Sequence, residues 1–414
     1  MKFTSAAVFL SLAFSVNAQP SPPYNGEDLK FSEFNQLCKD TLMQRGLREV
    51  VPSDTNEDGY VGPFRMIKGN WFTTDRPHYV IGSPNEGPSS DYLNIFLHGT
   101  SSSPYRHTCI LDGVSLGGTP TIGLSYASLN AVDSQRNIFC STESDTAQCL
   151  TDNHIQAIEG GDLRPHLWDS TDPRDSIKGR IERLVMYLHK TYPTEGWDRF
   201  CEEDGEPIWS KMVVMGHSQG SGHAGYLAQM DKLAGAGLLS GPQDECIGCA
   251  PDTHLWVDDP FKTYAITAMA GADASDTFEP ALPSMIDNWQ RMADTGNISW
   301  SGDLTPTNIG FGVEGHYDVC NNSIVSSLEA AGPSTSGGPG MGTQCGRAGH
   351  CSIAVDDSVP VLQRINASDC PVFKLHAWPE IADAPKCNKK FFTKKGKGTK
   401  GGKGSKIVSR LNID

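Results

Sequence analysis

Residues Met212 to Gly220, with the sequence Met-Val-Val-Met-Gly-His-Ser-Gln-Gly, constrain this chain more than any other stretch. The apolar run Met212 to Met215 suits a strand buried on both faces, and the small residues from Gly222 to Gln229 suit a helix. A chain that passes from strand to helix so quickly must turn sharply. Gly216 and Gly220 supply positions without a side chain where the two elements cross. Ser218 then stands at the apex with its hydroxyl clear of its own backbone, as a nucleophile requires if amide donors are to receive the oxyanion made by its attack.

The surrounding pattern fits a parallel sheet. His78 to Ile81 reads as a strand, and Tyr92 to Leu97 as a short apolar strand running directly into His98-Gly99-Thr100. Thr119 to Tyr126 reads as the next buried strand. Asp175 to Tyr192 carries Ile177, Ile181, Leu184, Val185 and Leu188 at helical spacing, followed by a strand over Lys211 to Met215. Ala234 to Ser240 and Thr263 to Met269 supply two more strands, and a helix is predicted over Phe31 to Arg48. Strands alternating with crossover helices predict an α/β fold, a mostly parallel central sheet with helices on both faces and decorated loops, in one main domain over residues 19–385.

From Tyr92 to Cys370 the chain resembles the α/β-hydrolase superfamily, in a secreted serine-hydrolase branch. The resemblance implies Ser218 as nucleophile, with the backbone amides of Thr100 and Gln219 forming the oxyanion hole, and with His98 ordering its loop. It also implies the chain order nucleophile, acid, histidine. Asp273 directly follows an apolar strand and is the expected acid, with Asp276 in close competition. The candidate bases are His254, His316, His350 and His376. His350 is preferred because it follows a flexible loop and precedes an apolar segment that can pack beneath it, and His316 is next. His217 and His223 flank the nucleophile too closely to serve it and are read as pocket or packing residues.

Composition bears on compartment and partners. Lys2, an apolar run from Ala6 to Val16 and small residues before Gln19 read as a cleaved leader over residues 1–18. No later stretch is long and apolar enough for a transmembrane helix. Twelve cysteines and three glycosylation sequons, at Asn297, Asn321 and Asn366, agree with export. Cys140 with Cys149 and Cys345 with Cys351 are the expected local disulfide loops. Cys246 and Cys249 lack a second ligand pair for zinc. Asp54 to Gly59 matches the first half of a calcium loop, but Arg65 stands where the bidentate Glu belongs, so a solvated turn is expected. No metal or cofactor is expected.

The net charge of -15 conceals a basic segment over residues 386–414, rich in Lys, Gly and Ser, which cannot bury a core and reads as a disordered tail. The acidic remainder argues against nucleic acid as a partner, while the tail suits an anionic extracellular polymer or surface. The expected activity is hydrolysis of a carboxylic ester through an acyl-enzyme. Two other readings stay open: a peptidase or amidase on the same triad, and a non-catalytic matrix-binding protein that retains the fold.

Overall fold

A computed structural model of the chain describes residues 43, 46–55, 64–67, 70–73, 76–82, 90–100, 102–116, 118–128, 140, 143–163, 171–244, 261–263, 266–271, 285, 287–289, 291–292, 305–307 and 324–326. These residues form a sheet of nine strands and a separate antiparallel hairpin of β2 (Phe64–Ile67) with β3 (Asn70–Thr73). The sheet strands in chain order are β1 (Leu47–Val50), β4 (His78–Ile81), β5 (Leu93–Leu97), β6 (Thr121–Leu124), β7 (Met212–His217), β8 (Gly235–Leu239), β9 (Ile266–Gly271), β10 (Thr305–Thr307) and β11 (Ile324–Ser326). Across the sheet they run β1-β4-β6-β5-β7-β8-β9-β11-β10. β4 is antiparallel to both its neighbours, and every other pair is parallel.

Among the described residues the sheet is covered by α1 (Thr108–Leu116), α2 (Thr146–Glu159), α3 (Ile177–Thr191) and α4 (Gln219–Met230). Alternation along the strands decides which face each helix covers. Leu93, Ile95 and Leu97 of β5, with Met212 and Val214 of β7, join the core built by α2, α3 and α4. Phe96, Val213 and Met215 are equally buried but outside that core. On their side lies α1, whose Leu111 approaches Gly123 so closely that a Cβ there would stand 2.9 Å from it. Helices therefore occupy both faces.

The local sequence explains why these helices start where they do. Ser176 caps α3 by accepting from the Gly179 amide at 3.0 Å, and Ile177, Ile181, Leu184, Val185 and Leu188 are buried along one stripe. Burying each such side chain contributes on the order of 1.5–3 kcal/mol. Asp145 caps α2 in the same way through the Gln148 amide at 2.9 Å. The sequence pattern did not single out α2, because its polar residues Thr151, Asn153, His154 and Gln156 are buried and mask the apolar stripe. Cys140 and Cys149 form a disulfide at its start.

One predicted element changes. Leu47 and Arg48, assigned by periodicity to the end of a helix from Phe31, instead open β1 and pair with Ile81 and Val80. Residue 43 is helical, and 31–42 lie outside the described residues. Pairing with β4 buries Leu47 and Val50 while leaving Arg48 to meet Glu195, which a short amphipathic stretch satisfies as strand as well as helix. The leader, the Cys246 and Cys249 pair, the Cys345 and Cys351 pair, the three sequons and the tail also lie outside the described residues. Of the suggested calcium loop, Asp54 and Thr55 end a 3-10 turn, Phe64 and Arg65 open β2, and residues 56–63 lie outside the described residues.

Candidate active site

The chain leaves β5 for β6 on one side, then returns across β5 to β7 on the other. Such a reversal opens a crevice at the carboxyl ends of the two strands that straddle it. Here those ends carry His98-Gly99-Thr100 after β5 and Ser218 after β7, with Leu97 in register with Gly216.

Ser218 has φ 55 and ψ -121, a backbone conformation that an L residue adopts only under constraint. The constraint is steric. A Cβ on Gly216 would lie 2.0 Å from the Gly220 carbonyl oxygen, and one on Gly220 would lie 2.3 Å from that of Leu97. Neither position admits a side chain, so β7 and α4 cross at contact distance and Ser218 takes the strained corner. The Ser218 amide donates to the Leu239 carbonyl at 2.9 Å, and its own carbonyl accepts from the Ser221 amide at 3.0 Å. Gly99 completes the approach, since a Cβ there would sit 3.1 Å from that of Ser218.

A serine on a strained turn between a parallel strand and a helix, beside the reversal point of a sheet whose second strand is antiparallel, defines the architecture. The chain has the α/β-hydrolase fold.

No family model and no curated protein matches the chain. Solved structures similar to it include an alpha-beta hydrolase from Vibrio vulnificus, 13% identical over 65% of this chain and 78% of that one, with a TM-score of 0.34. A carboxylesterase from Bacillus cereus is 14% identical over 54% of this chain and 82% of its own, with a TM-score of 0.28. The fluorophosphonate-binding serine hydrolase F of Staphylococcus aureus is 14% identical over 60% and 86%, with a TM-score of 0.32. At such TM-scores these likenesses carry no weight beside the sheet order and the turn at Ser218.

A small cleft opens at Ser218. Thr100, Gln219 and Gly222 line it together with the loop Pro242 to Asp244. Gln219 is the first residue of α4, where an amide has no acceptor within its own helix. Thr100 donates its hydroxyl hydrogen to Oε1 of Gln219 at 2.6 Å, so the loop after β5 and the start of α4 are clasped together. That loop is braced by two side chains. Asn288 donates to the Asp244 carbonyl at 2.8 Å and Trp289 to the Gly241 carbonyl at 2.9 Å.

Four buried histidines stand near the turn, and none of them hydrogen-bonds Ser218. His98 is buried, hydrogen-bonds the Gly99 carbonyl through Nδ1 at 3.0 Å and stacks on Tyr126, whose hydroxyl donates back to the His98 carbonyl. Burial, above all, pushes its pKa down to about 3, so it orders the loop as a neutral ring. His217 packs against His107 in a tilted arrangement with ring centroids 5.5 Å apart. His223 and His154 lie within the core and bond to each other at 2.9 Å. Among the described residues, no hydrogen bond meets Oγ of Ser218.

The expected acid and base lie outside the described residues. β9 ends at Gly271, two residues before Asp273, at the same sheet edge as Ser218 because β7, β8 and β9 are parallel. Asp276, His254, His316, His350 and His376 are likewise outside them. The sequence reading missed His154 and Asp244. His154 belonged to the unrecognised helix α2. Asp244 follows β8 on a loop whose only sequence signal is Gly241-Pro242.

Proposed function

We propose that the protein is a secreted serine hydrolase that cleaves carboxylic esters through an acyl-enzyme. One observation carries the reading: Ser218, at φ 55 and ψ -121, is held where β7 meets α4 with its hydroxyl at the cleft. A fold that needed only a turn would place glycine there, because glycine adopts positive φ without strain. Serine at the strained corner is costly unless its oxygen is used.

In the proposed reaction Oγ of Ser218 attacks the ester carbonyl carbon while His350 takes the hydroxyl proton. The amides of Thr100 and Gln219 receive the charge that develops on the carbonyl oxygen. The Thr100 hydroxyl is engaged by Gln219 and is not itself the donor. His350 then returns the proton to the leaving alcohol, and water repeats the sequence on the acyl-enzyme to release the acid. Asp273 orients the imidazole. Export is supported by the Cys140 to Cys149 disulfide, which persists in an oxidising compartment. The basic tail would hold the enzyme near anionic extracellular polymers by salt-sensitive attraction.

The test is labelling of the folded, oxidised protein with a fluorophosphonate probe, followed by a chain-length series of 4-nitrophenyl esters. The expected outcome is one adduct on the Ser218 peptide and none in Ser218→Ala. Asp273→Asn and His350→Ala should lose on the order of 10⁴ in turnover while remaining folded, whereas Asp276→Asn keeps most activity. Absence of labelling, or full activity in Ser218→Ala, would overturn the mechanism.

A further inference from the structure

Behind the cleft runs a hydrogen-bond chain that ester cleavage as described above leaves unexplained. Thr100 Oγ1 lies 2.6 Å from Gln219 Oε1, and Gln219 Nε2 lies 3.3 Å from His223 Nε2. His223 Nδ1 lies 2.9 Å from His154 Nδ1, and His154 Nε2 lies 3.0 Å from Asp244 Oδ2. The series starts at the half-buried cleft wall and ends on a carboxylate that is 6% exposed, passing through two histidines with no exposure at all.

Elementary donor and acceptor chemistry gives the series one direction. An ionised Asp244 can only accept, so His154 carries its proton on Nε2 and offers a lone pair at Nδ1. His223 must then donate from Nδ1 and accept at Nε2. That in turn requires the NH₂ group of Gln219 to face His223, which leaves Oε1 to face Thr100. A flipped carboxamide would set an oxygen against a ring nitrogen that has no hydrogen to give. Burial foremost, and then the neighbouring His154 and His98, hold His223 well below its ordinary pKa, which keeps that nitrogen an acceptor.

The rings are fixed by packing as well as by hydrogen bonds. His154 stacks on Tyr226 with centroids 4.5 Å apart, and Tyr126 meets His223 edge-on at 5.5 Å. Gly222 admits the His154 ring, since a Cβ there would stand 2.4 Å from its Cε1. A buried polar network of this kind is costly unless every member is satisfied, and an apolar filling of equal volume would stabilise the fold as well. Its retention points to what it holds in place.

We propose that Asp244, His154 and His223 are positioning residues for the oxyanion hole. They orient the Gln219 carboxamide so that it clasps Thr100, and the clasp keeps the amides of Thr100 and Gln219 in register across two separate chain segments. The inference rests on the serine-hydrolase reading. It extends that reading to residues that form no hydrogen bond with Ser218.

A double-mutant cycle tests it, with hydrolysis of 4-nitrophenyl acetate expressed per fluorophosphonate-titrated site so that unfolded molecules do not count. Loss of a whole oxyanion donor costs about 10²–10³ in kcat, so a loosened clasp is expected to cost about tenfold. Thr100→Val and Asp244→Leu should each lower kcat about tenfold with KM within about twofold. The double variant should lose little more than either alone, because both cut one series. Thr100→Ser and Asp244→Asn keep the hydrogen-bonding oxygen and should recover to within about threefold of wild type. If Asp244→Leu does not fold, Asp244→Ala removes the same acceptor without adding bulk. Additive loss in the double variant, no loss in a single one, or an Asp244→Asn as slow as Asp244→Leu would overturn the proposal. A wild-type protein that neither labels nor hydrolyses the ester would overturn the hydrolase reading instead.

Discussion

The amide of Ser218 donates to the carbonyl of Leu239 at 2.9 Å, tying the apex of the turn to the end of the neighbouring strand β8. The Ser218 backbone is therefore held from two sides. Gly216 and Gly220 force the corner sterically, and β8 holds it by hydrogen bonding. Confined in this way, the serine cannot relax out of its strained, half-buried corner, which suits the role proposed for its oxygen.

The strain itself is measurable. Ser218→Ala keeps a Cβ and so keeps the cost of φ 55, whereas Ser218→Gly removes it. Such a conformation costs about 1–3 kcal/mol, against about 0.5–1 kcal/mol for the added freedom of glycine in the unfolded chain. Both variants should be inactive, and urea unfolding should find Ser218→Gly more stable than Ser218→Ala by about 1 kcal/mol. A glycine variant that is clearly the weaker of the two would show that Ser218 is unstrained.

The glycines around the turn should separate stability from turnover. Gly216→Ala and Gly220→Ala drive a Cβ into backbone oxygens at 2.0 and 2.3 Å, so each should cost about 3 kcal/mol or more and abolish activity. Gly99→Ala meets the Ser218 Cβ at 3.1 Å, a contact that displaces the serine only slightly. Its unfolding free energy should fall by about 1 kcal/mol or less while kcat falls about tenfold, as small misplacements of reacting groups produce. Equal losses of stability in all three would contradict this account.

Acid should destabilise the fold in the range where histidines titrate. Burial, first among the causes, pushes His98 from 6.5 to about 3 and holds His78 and His223 well below their ordinary value. His78 also accepts from the Ser125 amide through Nδ1 at 3.0 Å, a bond that protonation there would break. Between those limits the unfolded chain binds protons that the native chain refuses. The stability these neutral rings contribute is full above pH 6.5 and falls as pH drops below it, by up to about 1.4 kcal/mol per pH unit for each ring. The urea midpoint should therefore be lower at about pH 5.5 than at about pH 7.5. An unchanged midpoint would mean that these rings titrate normally.

Parity constrains the thiols. Cys201 is buried and free, with its thiol directed at the Asp198 carbonyl, and the chain has twelve cysteines. Removing one from an even set leaves an odd number, which cannot all pair within the chain. Alkylation of the unreduced protein in denaturant should therefore add at least two labels to the intact mass of the monomer, or else reveal a disulfide-linked dimer. A fully oxidised monomer would mean that Cys201 has a partner.

Much of this protein was legible in the residues themselves. The strands β5, β7 and β8, the helix α3 and the serine at the turn follow from local rules. An apolar run of strand length, a stripe at helical spacing and a pair of glycines each act over a few residues, so no distant partner is needed to recognise them. Tertiary structure decided the rest. Leu47 and Arg48 joined a strand because β4 was there to pair with them. Thr100 meets Gln219 across 119 positions, His154 meets His223 across 69, and His154 meets Asp244 across 90. No local period encodes such contacts. They arise because parallel strands bring their carboxyl ends to one edge, and because Gly222 leaves α2 room to set a histidine against α4. Local sterics thus determined which serine is presented, while the packing of helices against the sheet decided which buried side chains stand behind it.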